Sequence, residues 1–217
     1  MNSHSMNTVK ASLKPRKSAV QARSVATVEA LHTATLQVLT QYGLTRCTTT
    51  RVAERAGMSV GSVYQYYPNR DALLAAVLEK HLQEVVDTVE LACGRCHGKT
   101  VAEMASGFIV AFLAVKLRDP VVSKALYAIA AERGGAELVA RINARMLVAM
   151  TNMLSTASDA HFDNPALIAS ISHTAVVGPV RALLEGHGNP DFETCLEEQL
   201  TLMLTAYLQV HQRVKRP

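Results

Sequence analysis

The sequence predicts an all-α protein of about nine helices. Three observations carry this. Ala and Leu abound, and both favour helix. Aromatics make up only 5%, Trp is absent, and 11 Gly with 7 Pro are too few for a sandwich of short strands and turns. The Gly and Pro residues also fall where helices would start and stop, next to side chains that cap helices.

Each element follows in order. Residues 1–17 are polar and basic and read as a flexible arm. Over 18–42, Val25, Val28, Leu31, Thr35, Val38, Leu39 and Tyr42 recur at helical spacing, and Gly43 is placed to end that helix. Thr48 can cap a short helix over 49–56, which Gly57 ends. Ser59 can cap another over 60–67, stopped by Pro68. Asn69 then caps a long helix from Arg70, with Asp71 well placed for the helix dipole. Thr100 and Glu103 fit a capping box. Asp119-Pro120, Asn164-Pro165 and Asn189-Pro190 each put a capping residue before Pro at the first helical position. Gly134-Gly135 and the stretch from Gly186 to Gly188 are breaks. Pro179 lies inside the helix 165–185 and should kink it or mark a 3₁₀ segment. No strand and no repeat of fixed period is expected.

A chain of 217 residues, 49% apolar, forms one domain, or a small one joined to a larger one, with a core that needs no disulfide or metal. The most apolar run, 104–115, is short of the ~20 residues of a membrane span, so no membrane role is expected. No signal peptide is visible and the four Cys need not pair, which suits the cytoplasm.

The net charge of +4 hides a split. Residues 1–70 carry nine Lys and Arg against two acids, a net of +7; residues 71–217 carry thirteen against sixteen, a net of −3. A basic third suits a polyanion partner. Within it, two short helices joined at Gly57 suggest a helix-turn-helix. Val52, Ala53 and Ala56 form an apolar edge on the first. Val60, Val63 and Tyr67 can face the core from the second, leaving Gly61, Ser62, Gln65 and Tyr66 outside. Small residues admit base edges, Ser62 and Gln65 can hydrogen-bond bases, and Tyr64 and Tyr66 can reach phosphates. Thr48, Thr49 and Thr50 can offer groups to a phosphate, and Lys10, Lys14, Arg16 and Lys17 of the arm can track the backbone or minor groove.

The run Val52-Ala53-Glu54-Arg55-Ala56-Gly57-Met58-Ser59, then Gly61-Ser62-Val63-Tyr64-Gln65-Tyr66-Tyr67-Pro68-Asn69-Arg70-Asp71, resembles the TetR family of bacterial transcriptional regulators over roughly 25–78. The resemblance implies an all-helical dimer, with a three-helix DNA-binding unit ahead of a divergent domain that binds a small ligand and dimerises through its last two helices. It puts Thr49, Thr50, Ser62, Tyr64, Tyr66 and Arg70 where the family meets DNA, with Gly61 and Gln65 flanking them. Arg70 stands where the family usually has Lys, and Cys47 where Thr or an apolar residue is commoner.

Other motifs compete. Gly57-Met58-Ser59-Val60-Gly61 matches the nucleophile elbow of serine hydrolases, but the residues before Ser59 read as helix, and the elbow needs a strand there. Cys93-Gly94-Arg95-Cys96-His97 matches a haem-attachment pattern that would require export. The same residues could supply zinc ligands or a redox dithiol, its thiolate favoured by Arg95, or be ordinary thiols. Cys47 and Cys195 read as apolar packing residues. No cofactor or resident metal is expected.

The expected domains are therefore the arm 1–17, a DNA-binding unit 18–70 and a ligand-binding, dimerising domain 71–217. In the last, Met104, Phe108, Ile109, Phe112 and Val115 form one apolar stripe, and Met146, Val148, Met150, Met153 and Leu154 crowd another helix. Such stripes are core, or the walls of a site between helices. Met104, Phe108, Phe112, Tyr127, Met150 and His173 are the candidate effector contacts, with Arg133 a further polar one. Helices 165–185 and 190–210 carry apolar residues beyond the needs of a lone hairpin: Ala169, His173, Ala175, Val176 and Gly178 on one, and Leu196, Leu200, Leu202, Met203, Leu204 and Tyr207 on the other. Pairing them across a two-fold axis would give a four-helix bundle. The expected function is a repressor that binds a palindromic double-stranded DNA operator as a dimer through 60–67, and that a small apolar or amphipathic effector releases.

Overall fold

The computed structural model describes residues 22–132 and 134–214. The arm 1–17, the first residues of the expected first helix and Arg133 lie outside the described residues. The chain divides into two compact units at Leu78 and Glu79.

The first unit holds α1 (Ala22–Tyr42), α2 (Thr49–Arg55), α3 (Val60–Tyr66) and the opening turns of α4 (Arg70–Arg95). A 3₁₀ turn at Leu44–Arg46, not foreseen, links α1 to α2. Leu31, Ala34, Thr35, Val38 and Leu39 are the buried row of α1, whereas Val25 and Tyr42 at its ends are exposed. The Thr35 hydroxyl avoids an unpaired burial by donating to the Leu31 carbonyl at 2.7 Å. Thr48 and Ser59 cap α2 and α3 as expected, each side chain accepting from the backbone N–H three residues on. Between the helices Gly57 adopts φ 67°, a conformation that is strained for any residue with a Cβ. Val52, Ala53, Val63 and Tyr67 are buried, while Val60 is only half-buried at the entry to α3. The sequence boundary at 70/71 cuts α4 two turns earlier than the compact units do. Ala72, Leu73, Leu74, Val77 and Leu78 are buried, so these turns belong to the small unit's core.

The second unit continues along α4 through α5 (Val101–Lys116), α6 (Pro120–Ala130), α7 (Gly135–Ser155), α8 (Pro165–Glu185) and α9 (Pro190–His211). The Thr100–Glu103 capping box forms, and Asp119, Asn164 and Asn189 each cap a helix whose first turn holds Pro. α8 packs on α6, α7 and α9, and α5 packs on α7, α8 and α9. Arg145 of α7 bridges Glu90 and Asp87 of α4 at 2.5 and 3.1 Å, an exposed pairing that adds little to stability.

Four details differ from expectation. A two-residue strand pair exists: Ala160 and His161 run antiparallel to Val214 and Arg213. Val148 points to solvent, because it lies on the face of α7 opposite Met146, Met150 and Met153. α8 is continuous α-helix through Pro179, so there is no 3₁₀ segment there; Pro179 merely leaves the Ala175 carbonyl without its usual donor. Among the described residues α8, rather than 104–115, is also the helix long and apolar enough to cross a membrane, with 21 residues and mean hydropathy 1.5. Its stripe of Ile168, Ala169, Ser172, Val176, Val180 and Leu184 is buried within the helical core.

Candidate nucleic-acid interface

Two buried residues set the orientation of α3. Val63 is fully buried, and the Tyr67 hydroxyl lies 2.7 Å from His32 Nε2, tying the end of α3 to α1. Burial pushes the Tyr67 hydroxyl up to about 12, so it stays a neutral hydrogen-bonding group. With that face fixed, Gly61, Tyr64 and Gln65 are exposed, and Ser62 and Tyr66 are half-buried. No acidic residue lies on this seven-residue helix. A Cβ at Gly61 would meet only the Ser59 hydroxyl, at 3.6 Å, so this stretch of the surface is open.

The polar groups are held rather than free-swinging. The Ser62 hydroxyl sits 2.9 Å from that of Ser59, and the Tyr64 hydroxyl 3.3 Å from Thr49 Oγ1. Thr49 itself is buried, unlike Thr48 and Thr50. It therefore positions Tyr64, and its side chain is not open to a phosphate as the sequence reading supposed. Arg70 also departs from that reading. Its Nε donates to the Cys47 carbonyl at 2.7 Å and its Nη2 to the Leu44 carbonyl at 2.6 Å. The guanidinium thus clasps the loop that leads into Thr48 and the first turn of α2.

Arg46, Arg51 and Arg55 belong to the basic charge of the first unit. All three are exposed. Arg51 lies over the Tyr42 ring at 5.3 Å and donates to the Arg46 carbonyl, while Arg55 donates to Gln37 Oε1 at 2.6 Å. These contacts hold positive charge on the small unit's surface.

The competing motifs do not form sites. Ser59 follows α2 and a turn, not a strand, and its hydroxyl is used in capping α3, so the hydrolase geometry is absent. Cys93 and Cys96 are buried, and burial pushes the Cys93 thiol up to about 12 and the Cys96 thiol upward too. The thiolate expected from Arg95 is thus disfavoured. Among the described residues no three His, Cys, Asp or Glu side chains gather to hold a metal, so the sensor reading of Cys93, Cys96 and His97 loses its geometry.

In the second unit, Met104, Phe108, Phe112, Met150 and His173 are buried and Tyr127 is half-buried. Met104, Phe108 and Met150 line one small apolar cavity of about 10 Å³ with Met153 and Ser172. Phe112 stacks on Phe108 with centroids 5.8 Å apart and meets the His173 ring edge-on at 6.3 Å. Burial lowers the His173 pKa, favouring the neutral ring. Tyr127 stands apart from the cavity, under the cations of Lys116 and Arg181. Lys116 and Ser172 escaped the sequence reading. The former continues the four-residue interval of Met104, Phe108 and Phe112, which was the available signal.

Comparison with known proteins agrees with this architecture. The profile of the bacterial regulatory proteins of the tetR family matches residues 31–77, and that of the tetracyclin repressor-like C-terminal domain matches residues 100–208. No curated protein sequence matches the chain. Among solved structures, a candidate TetR-family transcriptional regulator from Mesorhizobium loti superposes with TM-score 0.70 at 17% identity, covering 89% of this chain and all of that one. SmeT, the repressor of the Stenotrophomonas maltophilia multidrug efflux pump SmeDEF, gives TM-score 0.66 at 18% identity, with 86% and 90% covered. The transcriptional regulator FadR from Bacillus subtilis, solved with stearoyl-CoA, gives 0.69 at 12%, with 82% and 98% covered. With its helix-turn-helix and its helical second unit both matched, the chain belongs to the TetR family of bacterial regulatory proteins.

Proposed function

We propose that the chain is a cytoplasmic repressor that binds a palindromic operator as a homodimer and lets go when a small apolar or amphipathic effector enters the second unit. The observation that carries the reading is α3. It exposes Gly61, Tyr64 and Gln65, with Ser62 and Tyr66 at the margin, on a helix without acids held by Val63 and Tyr67. In this reading Ser62 and Gln65 meet base edges, and Tyr64, Tyr66, Thr48 and Thr50 meet the phosphate backbone. Arg46 and Arg51 add charge that sets affinity rather than sequence. Arg70 and Thr49 act on DNA through the loop and the tyrosine they hold. The arm 1–17 would add phosphate contacts.

Exposed apolar side chains support the two-fold pairing. On α8 these are Leu167 and Ile171, continued by Ala175 and Gly178; on α9 they are Leu202, Met203 and Val210. Ala169, Val176, Leu196, Leu200 and Leu204 are already buried within one chain and belong to its core. In the paired form the two copies of α3 would enter successive major grooves, about 34–36 Å or a multiple apart.

The tight packing of the second unit supports the response. A cavity of about 10 Å³ holds at most one water, so an effector must push Met104, Met150 and Met153 aside. Such an effector selects an expanded conformation, and only ~1–3 kcal/mol of coupling to the spacing of the two α3 helices suffices to release DNA.

Selection of bound duplexes from random DNA tests the reading, with Tyr64→Ala as control. A palindromic consensus bound by the wild type and lost with Tyr64→Ala is expected. Enrichment of no sequence, or equal binding by the variant, would count against α3 as the reading head.

A further inference from the structure

Met104, Phe108, Phe112 and Lys116 recur every four residues along α5, so each neighbours the next on a buried ridge that winds slowly round the helix. Lys116 ends this apolar row and is itself only 7% exposed. Its ammonium sits 4.6 Å from the centre of the Tyr127 ring, which Arg181 covers from 5.5 Å. Among the described residues no carboxylate pairs with it. Glu84 is taken by Arg118 at 2.7 Å and Glu185 by Arg181 at 2.7 Å. A buried cation without a counter-ion is costly. The Ser172 hydroxyl, on the wall of the apolar cavity with Met104 and Phe108, is buried and has no hydrogen-bond partner among the described residues.

We infer that the second unit takes an amphipathic carboxylate: its head pairs with the Lys116 ammonium, and its apolar chain lies along Phe112 and Phe108 toward the cavity. This rests on the reading of that unit as the effector domain. Eight residues of α5 separate Lys116 from Phe108, about 12 Å of helix, which suits a medium-length chain rather than a small acid such as acetate. The chain replaces methionine side chains that repack at low cost. The carboxylate supplies the charge that Lys116 lacks, and its pairing is strong because water is largely excluded.

Calorimetric titration of the full chain, without DNA, tests the inference with decanoate, decanol and decylamine. Decanoate is expected to bind about tenfold or more tightly than either of the others, as a charge-assisted hydrogen bond would give. Lys116→Met, which fills the same space without charge, should abolish that preference while still binding decanol. Equal binding of the three by the wild type, binding of none, or a preference that survives in Lys116→Met would each overturn it. A gel shift with operator DNA separates the two readings. Lys116-dependent decanoate binding without operator release leaves the carboxylate site standing and removes only its role as effector. Release by other compounds, with no preference for decanoate, removes the carboxylate site alone.

Discussion

Arg70 Nε and the Cys47 carbonyl oxygen lie 2.7 Å apart, and this bond ties the first residue of α4 to the loop before α2. Arg70 Nη2 reaches the Leu44 carbonyl as well, so one planar guanidinium spans both ends of the 3₁₀ turn. A lysine presents a single ammonium and cannot match that fork. Arg70→Lys should therefore weaken operator binding severalfold although the charge is kept, and Arg70→Ala should lower the stability of the small unit by about 1–3 kcal/mol. Gel shifts and urea unfolding measure the two effects. If Arg70→Lys binds as the wild type does, the clasp has no bearing on DNA.

Gly107 is a second close approach. A Cβ built on it would stand 2.5 Å from the buried Cys96 sulfur, closer than van der Waals contact allows. Gly107→Ala should destabilise the second unit by about 1–3 kcal/mol through overpacking, despite the better helix propensity of Ala. Cys96→Ala removes the sulfur, so the double variant should recover most of the loss. Additive losses in thermal unfolding would show that the strain arises elsewhere.

The helices were legible in the sequence because their ends are written in local chemistry. Thr48, Ser59, Thr100, Asp119, Asn164 and Asn189 each cap the helix expected of them. The helix-turn-helix was legible for the same reason, through Gly57 and the spacing of Val63 and Tyr67. What escaped depends on three-dimensional partners. Whether Thr49 faces a phosphate or Tyr64, and whether Arg70 faces DNA or two carbonyls, is decided by residues far along the chain. The burial of Lys116 was equally hidden. It required Tyr127 of another helix to lie beneath its ammonium, and pattern alone cannot place one helix against another.

The thiols give a third expected outcome. Cys47, Cys93 and Cys96 are buried, and desolvation raises the pKa of each, whereas Cys195 is half-buried. A thiol-reactive dye at pH 8 should label Cys195 first in the folded chain, with the other three following only on unfolding. Cys195→Ser should remove the fast phase. Fast labelling of Cys93 or Cys96 would restore the thiol-sensing alternative that their burial argues against.

The pH dependence of stability follows from Lys116. Burial lowers its pKa from 10.5 to about 8. Below pH 8 both folded and unfolded chains hold the proton, so folding bears the full desolvation of the ammonium. Between about 8 and 10.5 the unfolded chain still binds the proton and the folded chain has released it, so stability rises with pH. Cys47, Cys93 and Cys96 oppose this from about pH 9 and Tyr67 from about pH 10, because there the unfolded chain loses each proton and the folded chain holds it. The window in which Lys116 acts unopposed is thus about pH 8 to 9. Lys116→Met should be more stable than the wild type at pH 7, by on the order of 2–3 kcal/mol, and should lose the rise across that window. His81 supplies an internal control. Its pKa is lowered to about 4, first by burial and then by Lys116, so stability should fall as pH drops from 6.5 toward 4, and less steeply once Lys116 is replaced. Urea unfolding at pH 5, 7 and 9 measures all three effects, and parallel pH profiles for the two proteins would place the Lys116 ammonium in water rather than over the Tyr127 ring.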